Sequence, residues 1–531
     1  MDNYQELHLQ INNLISSLEN KTYDDFKTAL NTKIKKINIK DNDDSNLVII
    51  SNNYTKKINT LSELEKECRS LIIDKTTLKI ICYTYDDIYY NQDAKNYFLK
   101  NNIKEYDIQE CFEGTLLSIF YYNDKWFMST RQCLDAKKSL WSSNKSYYDL
   151  FLECINLSFE DFTNHLKPEY NYFFVLLHHE NKNIVDYSDY FKNANYKEIV
   201  HILTRNQNTL SEIDLRDNSQ WNINPNIKTP IRFNSNKDSE SIETESLTNF
   251  INNNDSLTIN TPEKYINFDI LDDINKQLNL TLPVQCEGLV VRVKDQKTGK
   301  LVIMKFQTNS YQFMSIIRPN NNNIYSSFIE LYQQDLLNKH LEYFPGNSEL
   351  QLEECNEKYD TIGVIDAVFK VLTSELLEIF KSMYNLKDGT HKPKSYYNIL
   401  PKEYTVVLYK IRGIFFRKKD RNVKKYDDND ESFYSNGLKI FDIYSLLKKK
   451  YESKDLFKLL KARKNMMFKY QNDNSDEAEF FNNASHRCDK VSIKMMSFIL
   501  NEMFSDGNNL NVYKKYNVKK TMKDAEYIHS I

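Results

Sequence analysis

Three short segments of this chain place charged side chains next to apolar, strand-like runs. They are ECRSLIID at Glu67–Asp74, CFEGTLLSIFY at Cys111–Tyr121, and CEGLVVRV at Cys286–Val293 with IMKF at Ile303–Phe306. A carboxylate, an arginine and a lysine held at strand ends can surround a nucleotide phosphate. Arginine offers a two-pronged fork to phosphate oxygens, and lysine offers a movable point charge. A glutamate can hold a ribose hydroxyl or a divalent cation. Each segment alone is ordinary, because Glu-Gly opens many hairpins. The joint order of the three carries the signal.

Two further groups have the residue types for chemistry. His178-His179-Glu180 offers metal-ligand donors. Neighbouring side chains on a strand point to opposite faces, so this pair is not expected to share one ion. The carboxyl-terminal third is rich in cations: Arg417-Lys418-Lys419, Arg421, Lys424-Lys425, Lys448-Lys449-Lys450 and Lys461 to Lys464. Such runs form solvated helix faces or track an RNA backbone. Phe415, Phe416 and Tyr426 are interleaved with them and could stack on bases.

These residues need elements to position them. Leu7, Ile11, Leu14, Ile15 and Leu18 recur at helical spacing, so the first 35 residues read as two helices. From about Asn46 the pattern turns to strand, in LVII (47–50), LIID (71–74) and LKIICYTY (78–85). Residues 114–130 read as a hairpin around Asn123-Asp124, and 170–180 as a buried strand. Residues 284–306 read as a second hairpin, with Gly299 in its turn. The stretch from about Asn206 to Pro262 is Asn, Ser, Asp and Glu rich and reads as a solvated insertion. After about Arg318 the period becomes helical and stays so. The expected organisation is amino-terminal helices (1–40), a strand-rich body (41–315) with its polar insertion near 206–262, and a helical domain (320–531). The expected fold class is α+β. Consecutive hairpins without long intervening helices predict antiparallel sheets.

Composition bounds the rest. With 531 residues, of which 40% are hydrophobic and 27% charged, the chain can bury a real core and is not a disordered polymer. Glycine and proline number only nine each, which excludes collagen-like and Pro-rich architectures. The 71 basic residues are balanced by 74 acidic ones, so any nucleic-acid argument must rest on local patches. The eight cysteines form no CxxC pair, which fits a reducing compartment and argues against a structural zinc site. The amino terminus lacks the pattern of a signal peptide, and no apolar run approaches the roughly 20 residues of a membrane span. An intracellular, cytoplasmic or virion location and no membrane partner are expected. The excess of Asn, Lys, Ile and Tyr suits coding from an AT-rich genome, such as that of a large DNA virus.

The order of segments resembles the bacteriophage-type RNA ligases of the covalent nucleotidyltransferase superfamily. That resemblance implies a body of twisted antiparallel sheets with an all-helical carboxyl-terminal domain, covering roughly residues 45–315 in motif order. Arg69 falls on the family's arginine after Glu-Cys, and Tyr89, Tyr90 and Asn91 fall on its aromatic-aromatic-Asn element. Glu113 and Gly114 fall on the last two positions of KxDG, Glu287 on the glutamate that reaches the nucleotide, and Lys305 on the first lysine of KxK. The family chemistry implies ATP, Mg²⁺ or another divalent metal, and RNA ends as ligands. Arg69, Glu113, Gly114, Glu287 and Lys305 would then bind nucleotide, while Arg417, Lys418, Lys419 and Arg421 would bind RNA.

The departures matter equally. The nucleophilic lysine position of KxDG reads Cys111, the lysine before the aromatic pair reads Ile88, the glutamate of the FE element reads Val175, and the second lysine of KxK reads Gln307. The family attacks the ATP α-phosphorus with a neutral lysine amine, whose pKa must fall from about 10.4 towards neutrality. A cysteine could serve as a thiolate if a cation depressed its pKa from about 8.5, but cysteine is also a common buried filler. The expected function is an RNA ligase-like protein that binds RNA and ATP, with strand joining weakened or lost. A catalytically silent structural or virion-associated protein is the alternative. A cap guanylyltransferase is the third reading, disfavoured because no β domain follows the body.

Overall fold

The computed structural model describes residues 6–213, with breaks at 36, 43–44, 53–57, 102, 104–105, 141–144 and 182. It also describes 224, 226–230, 232–234, 287–352 (except 296, 320 and 322), 357–383, 397–398, 400–422, 438–470, 475, and 496–504 (except 498 and 502). The described residues fall into two compact units that divide between Met314 and Ser315. Most of the polar insertion expected near 206–262, including its centre at 235–246, lies outside the described residues.

In the first unit the elements run α1 (Gln10–Ser16), α2 (Tyr23–Lys33), β1 (Ile37–Asp41), β2 (Leu47–Asn52), α3 (Glu63–Glu67), β3 (Leu71–Asp74), β4 (Ile80–Tyr83) and β5 (Tyr89–Tyr90). Then come α4 (Asn91–Lys100), β6 (Asp107–Cys111), β7 (Thr115–Tyr122), β8 (Lys125–Thr130), α5 (Tyr147–Ile155), α6 (Phe159–Thr163), β9 (Tyr170–His178) and β10 (Lys197–Asn206). The unit closes with β11 (Ile227–Lys228), β12 (Arg232–Asn234), β13 (Gly288–Lys294), β14 (Leu301–Gln307) and α7 (Asn309–Ile317), the last crossing into the second unit. Local chemistry starts and stops these pieces. Thr22 caps α2 through Asp25, and Ser62 with Glu65 forms a reciprocal capping box on α3. Asn123 and Asp124 both adopt positive φ, 47° and 58°, which matches the strand twist in a two-residue hairpin.

Three sheets result. The first has order β1-β2-β3-β4, the second β11-β10-β9-β7-β8 and the third β12-β6-β13-β14-β5. All pairs are antiparallel except β10 with β11 and β14 with β5. Strands β2, β3 and β4 of the first sheet are buried on both faces. Val48, Ile50, Leu71 and Ile73 pack under α1 and α2, while Leu47, Ile49 and Ile72 face a core shared with the other two sheets. Double burial explains why LVII and LIID are unbroken apolar runs rather than alternating ones. Helices α5 and α6 cover one face of the second sheet, and α4 covers the outer face of the third.

The second unit is α8 (Ile324–Gln333), α9 (Leu337–Tyr343), β15 (Glu349–Leu352), β16 (Glu357–Asp360), α10 (Thr361–Met383), α11 (Lys402–Asn422), α12 (Ile440–Lys449) and α13 (Ser453–Tyr470). Its helices share one apolar core. The β15–β16 hairpin corrects the expectation that helix continues unbroken after Arg318; its strands are four residues each, too short to show a period of two. A second correction concerns the run Lys461 to Lys464. Arg463 is buried, and its guanidinium meets the equally buried Glu375 at 2.8 Å, with the Tyr404 hydroxyl donating to the same carboxylate at 3.0 Å. That arginine is part of the core and takes no part in a solvated basic face.

The architecture is therefore α+β, with antiparallel sheets followed by a helical carboxyl-terminal region. No described helix is long and apolar enough to cross a membrane.

Candidate functional site

Strand register assembles the site. On the third sheet Cys111 lies opposite Gly288, and Gly288 lies opposite Gln307. One row away, Gln109, Val290, Lys305 and Tyr90 are successive cross-strand partners. The period of two puts Cys111, Val290, Leu301, Ile303 and Lys305 on one face, which lines a cleft with Tyr85, Val175 and Leu203. The opposite residues, Leu289, Val291, Met304 and Phe306, pack away from it beneath α4. Gly288 is obligatory here. Its φ of 144° is unfavourable for a side chain, and a Cβ would run into the Phe306 carbonyl.

The charged groups of this face are already paired. Lys305 Nζ donates to Glu287 Oε2 at 2.9 Å, and Gln307 Nε2 donates to Glu287 Oε1 at 3.0 Å. Gln307 is in turn fixed by Asn91, whose side chain donates to it at 3.1 Å and accepts from its backbone at 2.8 Å. Gln307 thus works as a strut between Asn91 and Glu287. Burial pushes the Cys111 thiol well above its usual range, and Glu287 adds to this while Lys305 opposes it. Burial acts to lower Lys305, but Cys111, Glu287 and Tyr90 outweigh it and raise the ammonium well above its ordinary value. Burial thus favours the neutral form of the Cys111 thiol, and the Glu287 carboxylate favours the ammonium form of Lys305.

Glu113 and Gly114 sit in the turn between β6 and β7. The Val185 N–H donates to Glu113 Oε2 at 2.7 Å, and the Tyr187 hydroxyl donates to the Glu113 carbonyl at 3.2 Å. Glu113, Glu287 and Cys111 all act on the buried hydroxyls of Tyr187 and Tyr311, raising them after burial itself. Gly114 is needed for close approach, since a Cβ would stand 2.5 Å from the Leu176 carbonyl oxygen. Arg69 lies over the Tyr85 ring at 4.7 Å, with its Nε 4.0 Å from Asp87. Arg69 Nη1 is buried and has no partner. Arg69, Lys305, Glu287 and Tyr85 all act on the Tyr90 hydroxyl, which ties the arginine to the Lys305–Glu287 pair. Glu287 and Lys305 are thus in direct contact, Arg69 acts with them on Tyr90, and Glu113 acts with Glu287 on Tyr187 and Tyr311.

The glutamate that precedes Arg69 does something else. Glu67 is fully buried, accepts the N–H groups of Gln10 and Ile11 at the start of α1, and pairs with Lys300 at 2.5 Å. It is a helix cap supplied from 56 residues away. Sequence reasoning missed several residues of the cleft: Tyr85, Gln109, Glu110 and Arg292. Arg292 pairs with Glu212, and Glu110 accepts from Tyr190 at 3.0 Å. The alternation GLVVRVK itself could have placed Arg292 on the face of Val290.

These residues suit an anion better than a metal. Arg69 has an unpartnered buried donor that a phosphate oxygen could fill. Glu287 gives both oxygens to Lys305 and Gln307, so a divalent cation there would have to displace an internal pair.

Two other groups behave unlike their sequence reading. The rings of His178 and His179 are stacked 4.6 Å apart at 22°, so they do not point to opposite faces; β9 ends at His178 and the alternation ends with it. With Glu180 their donor atoms lie within 4.8 Å of one another. The His178 lone pair is taken, however: its Nδ1 accepts the Glu180 N–H at 3.1 Å, and its Nε2 lies 3.3 Å from Glu153. Lys145 bridges Glu153 and Glu180, and Lys197 also pairs with Glu153, which closes the cluster as an ionic network. In the second unit, Arg417 is exposed on α11, while Lys418 is bonded to Asp442 at 2.6 Å and so is not a free cation. The side chains of Lys419 and Arg421 lie outside the described residues.

No family model matches the chain. A stretch of 140 residues, 24% of this chain, is 30% identical to the immediate-early protein ICP-46 homolog of Invertebrate iridescent virus 3. A stretch of 70 residues, 13% of the chain, is 34% identical to the homolog from Invertebrate iridescent virus 6. The match spans 31% and 15% of the lengths of these two relatives. Among solved structures, an Aquifex aeolicus chain assigned as an ATP-dependent DNA ligase is similar at a TM-score of 0.35 and 14% identity, covering 59% of this chain and 69% of its own. Two forms of an archaeal ATP-dependent RNA ligase are similar at a TM-score of 0.33, with 9% and 10% identity; they cover 61% and 63% of this chain, and 69% and 77% of their own.

Proposed function

We propose that this chain is an RNA ligase-like protein whose cleft binds a nucleotide or RNA phosphate, and in which ATP-dependent strand joining is weakened or lost. The observation that carries the reading is the row Cys111–Gly288–Gln307 with Lys305 and Glu287 beside it. In the motif order of the resemblance, Cys111 stands where a nucleophilic lysine is implied, and burial raises its thiol well above the usual range. When bound, ATP would supply an electrophilic α-phosphorus. Arg69 would hold phosphate through its unpartnered nitrogen, and Lys305 would reach an anion only by leaving Glu287. The resemblance also brings a divalent metal, but the paired Glu287 does not favour one.

The test is incubation with α-labelled ATP in Mg²⁺ or Mn²⁺. No protein-bound AMP is expected. A robust adduct that disappears in Cys111→Ser would overturn the loss of adenylylation, and labelling by GTP alone would favour the cap guanylyltransferase reading. The internal pairing of Glu287 favours a second reading, a silent structural or virion-associated protein. Under that reading ATP leaves the melting temperature unchanged, whereas a retained nucleotide site raises it.

A further inference from the structure

Helix α11 spans 21 residues and buries one face, through Tyr404, Val407, Leu408 and Ile411. Its other face carries large apolar groups in the open: Val406 is 39% exposed, Tyr409 52% and Phe416 40%. Tyr409 and Phe416 are seven residues apart, two helical turns or about 10.5 Å, so they stand in line on one face. They are presented rather than merely exposed. Tyr409 is stacked flat on Tyr397, with centroids 4.8 Å apart and planes at 4°. Phe416 carries the Arg412 guanidinium 5.4 Å from its centroid.

Cations outnumber acids among the described side chains of this helix. Lys402, Lys410, Arg412 and Arg417 are exposed on the helix, and Glu403 is the single acid among its described side chains. A pure protein-docking stripe would not need this excess. Two aromatic platforms at fixed spacing, flanked by cations, are the elements that hold single-stranded nucleic acid without reading its sequence. Phe441, at the start of α12, is 71% exposed. It adjoins Asp442, which the Lys418 pair fastens to α11.

We propose that the exposed face of α11 is a docking surface for single-stranded RNA, with Tyr409 and Phe416 stacking on bases and Arg412, Arg417 and Lys410 meeting phosphates. The proposal rests on the reading that the chain handles RNA, but not on the cleft. It also reassigns the RNA contacts: Lys418 fastens two helices, and Arg412 and Lys410 take the role expected from the basic run.

The test is fluorescence anisotropy with a labelled 12-nucleotide oligouridylate on the full chain. It compares the parent with the double variant Tyr409→Ala, Phe416→Ala, with Arg412→Ala, Arg417→Ala, and with the cleft variant Arg69→Ala. Loss of the two rings should weaken binding roughly ten- to a hundredfold, at a temperature well below the melting point of the variant. The double arginine variant should lower the salt slope by about 0.7 for each phosphate it no longer neutralises. Tyr409→Phe should bind as the parent does. Binding unaffected by the ring variant, or lost only in Arg69→Ala, would overturn the proposal, and the second outcome would leave the RNA reading of the cleft intact. A parent chain that binds no oligonucleotide and instead self-associates through these rings would overturn it in favour of a protein contact.

Discussion

Cys111 shows how one residue type, placed by register, changes the chemistry of a site. Its thiol is buried beside the Glu287 carboxylate and the Lys305 ammonium, and burial raises it well above its usual range. Lys305 is paired with Glu287, and its ammonium is raised well above its ordinary value. Gln307 completes the arrangement, since its amide bridges Glu287 and Asn91. Gly114 gives the sharpest residue-scale prediction. Any Cβ meets the backbone of β9, so Gly114→Ala should destabilise the protein by about 1–3 kcal/mol in urea unfolding. A variant as stable as the parent would show that the turn carrying Glu113 is free to move.

Among elements, the sequence shows the hairpins well and the site-bearing strand poorly. Residues 114–130 and 284–306 are legible because positive-φ turn residues interrupt β-branched runs, and both form hairpins, β7–β8 and β13–β14. Strand β6, DIQEC, is not legible as a strand. It mixes acids with apolar residues, and only pairing with β12 and β13 on its two sides buries it. The helical unit is legible from its period, but not its buried ion pair. Arg463 and Glu375 lie on α13 and α10, where a charged residue looks like any surface position. Arg463→Met alone leaves a buried carboxylate, and should cost about 3–5 kcal/mol. The double variant Arg463→Met, Glu375→Leu should recover much of it. Equal stability of single variant and parent by denaturant unfolding would contradict that placement.

For the whole molecule, two buried groups set opposite pH dependences. Burial lowers His178 to about 4, with His179 adding to it. Its contribution to stability is therefore full above its unfolded pKa of about 6.5 and lost as pH falls towards 4. Burial raises Asp87 to about 6 against the pull of Arg69 and Asn52, so its contribution is full below about 3.8 and lost as pH rises through 6. Melting temperatures between pH 4.5 and 7 should reflect both. His178→Asn should remove the acid-side loss, leaving a curve that falls as pH rises. A variant that still loses stability on acidification as the parent does would exclude His178 as its source.

What the sequence alone determined was local: turn residues, helix periods, doubly buried strands, and the order of charged segments that set Arg69, Glu113, Glu287 and Lys305 apart. These depend on neighbours within a few residues, which the sequence displays directly. Tertiary structure decided which charges meet. Glu67 became a cap for α1, Arg463 went into a core, Lys305 closed on Glu287, and Tyr409 and Phe416 stayed in the open. Charge pairing depends on through-space distance across strands and helices far apart in the chain, and spacing in sequence does not encode that distance.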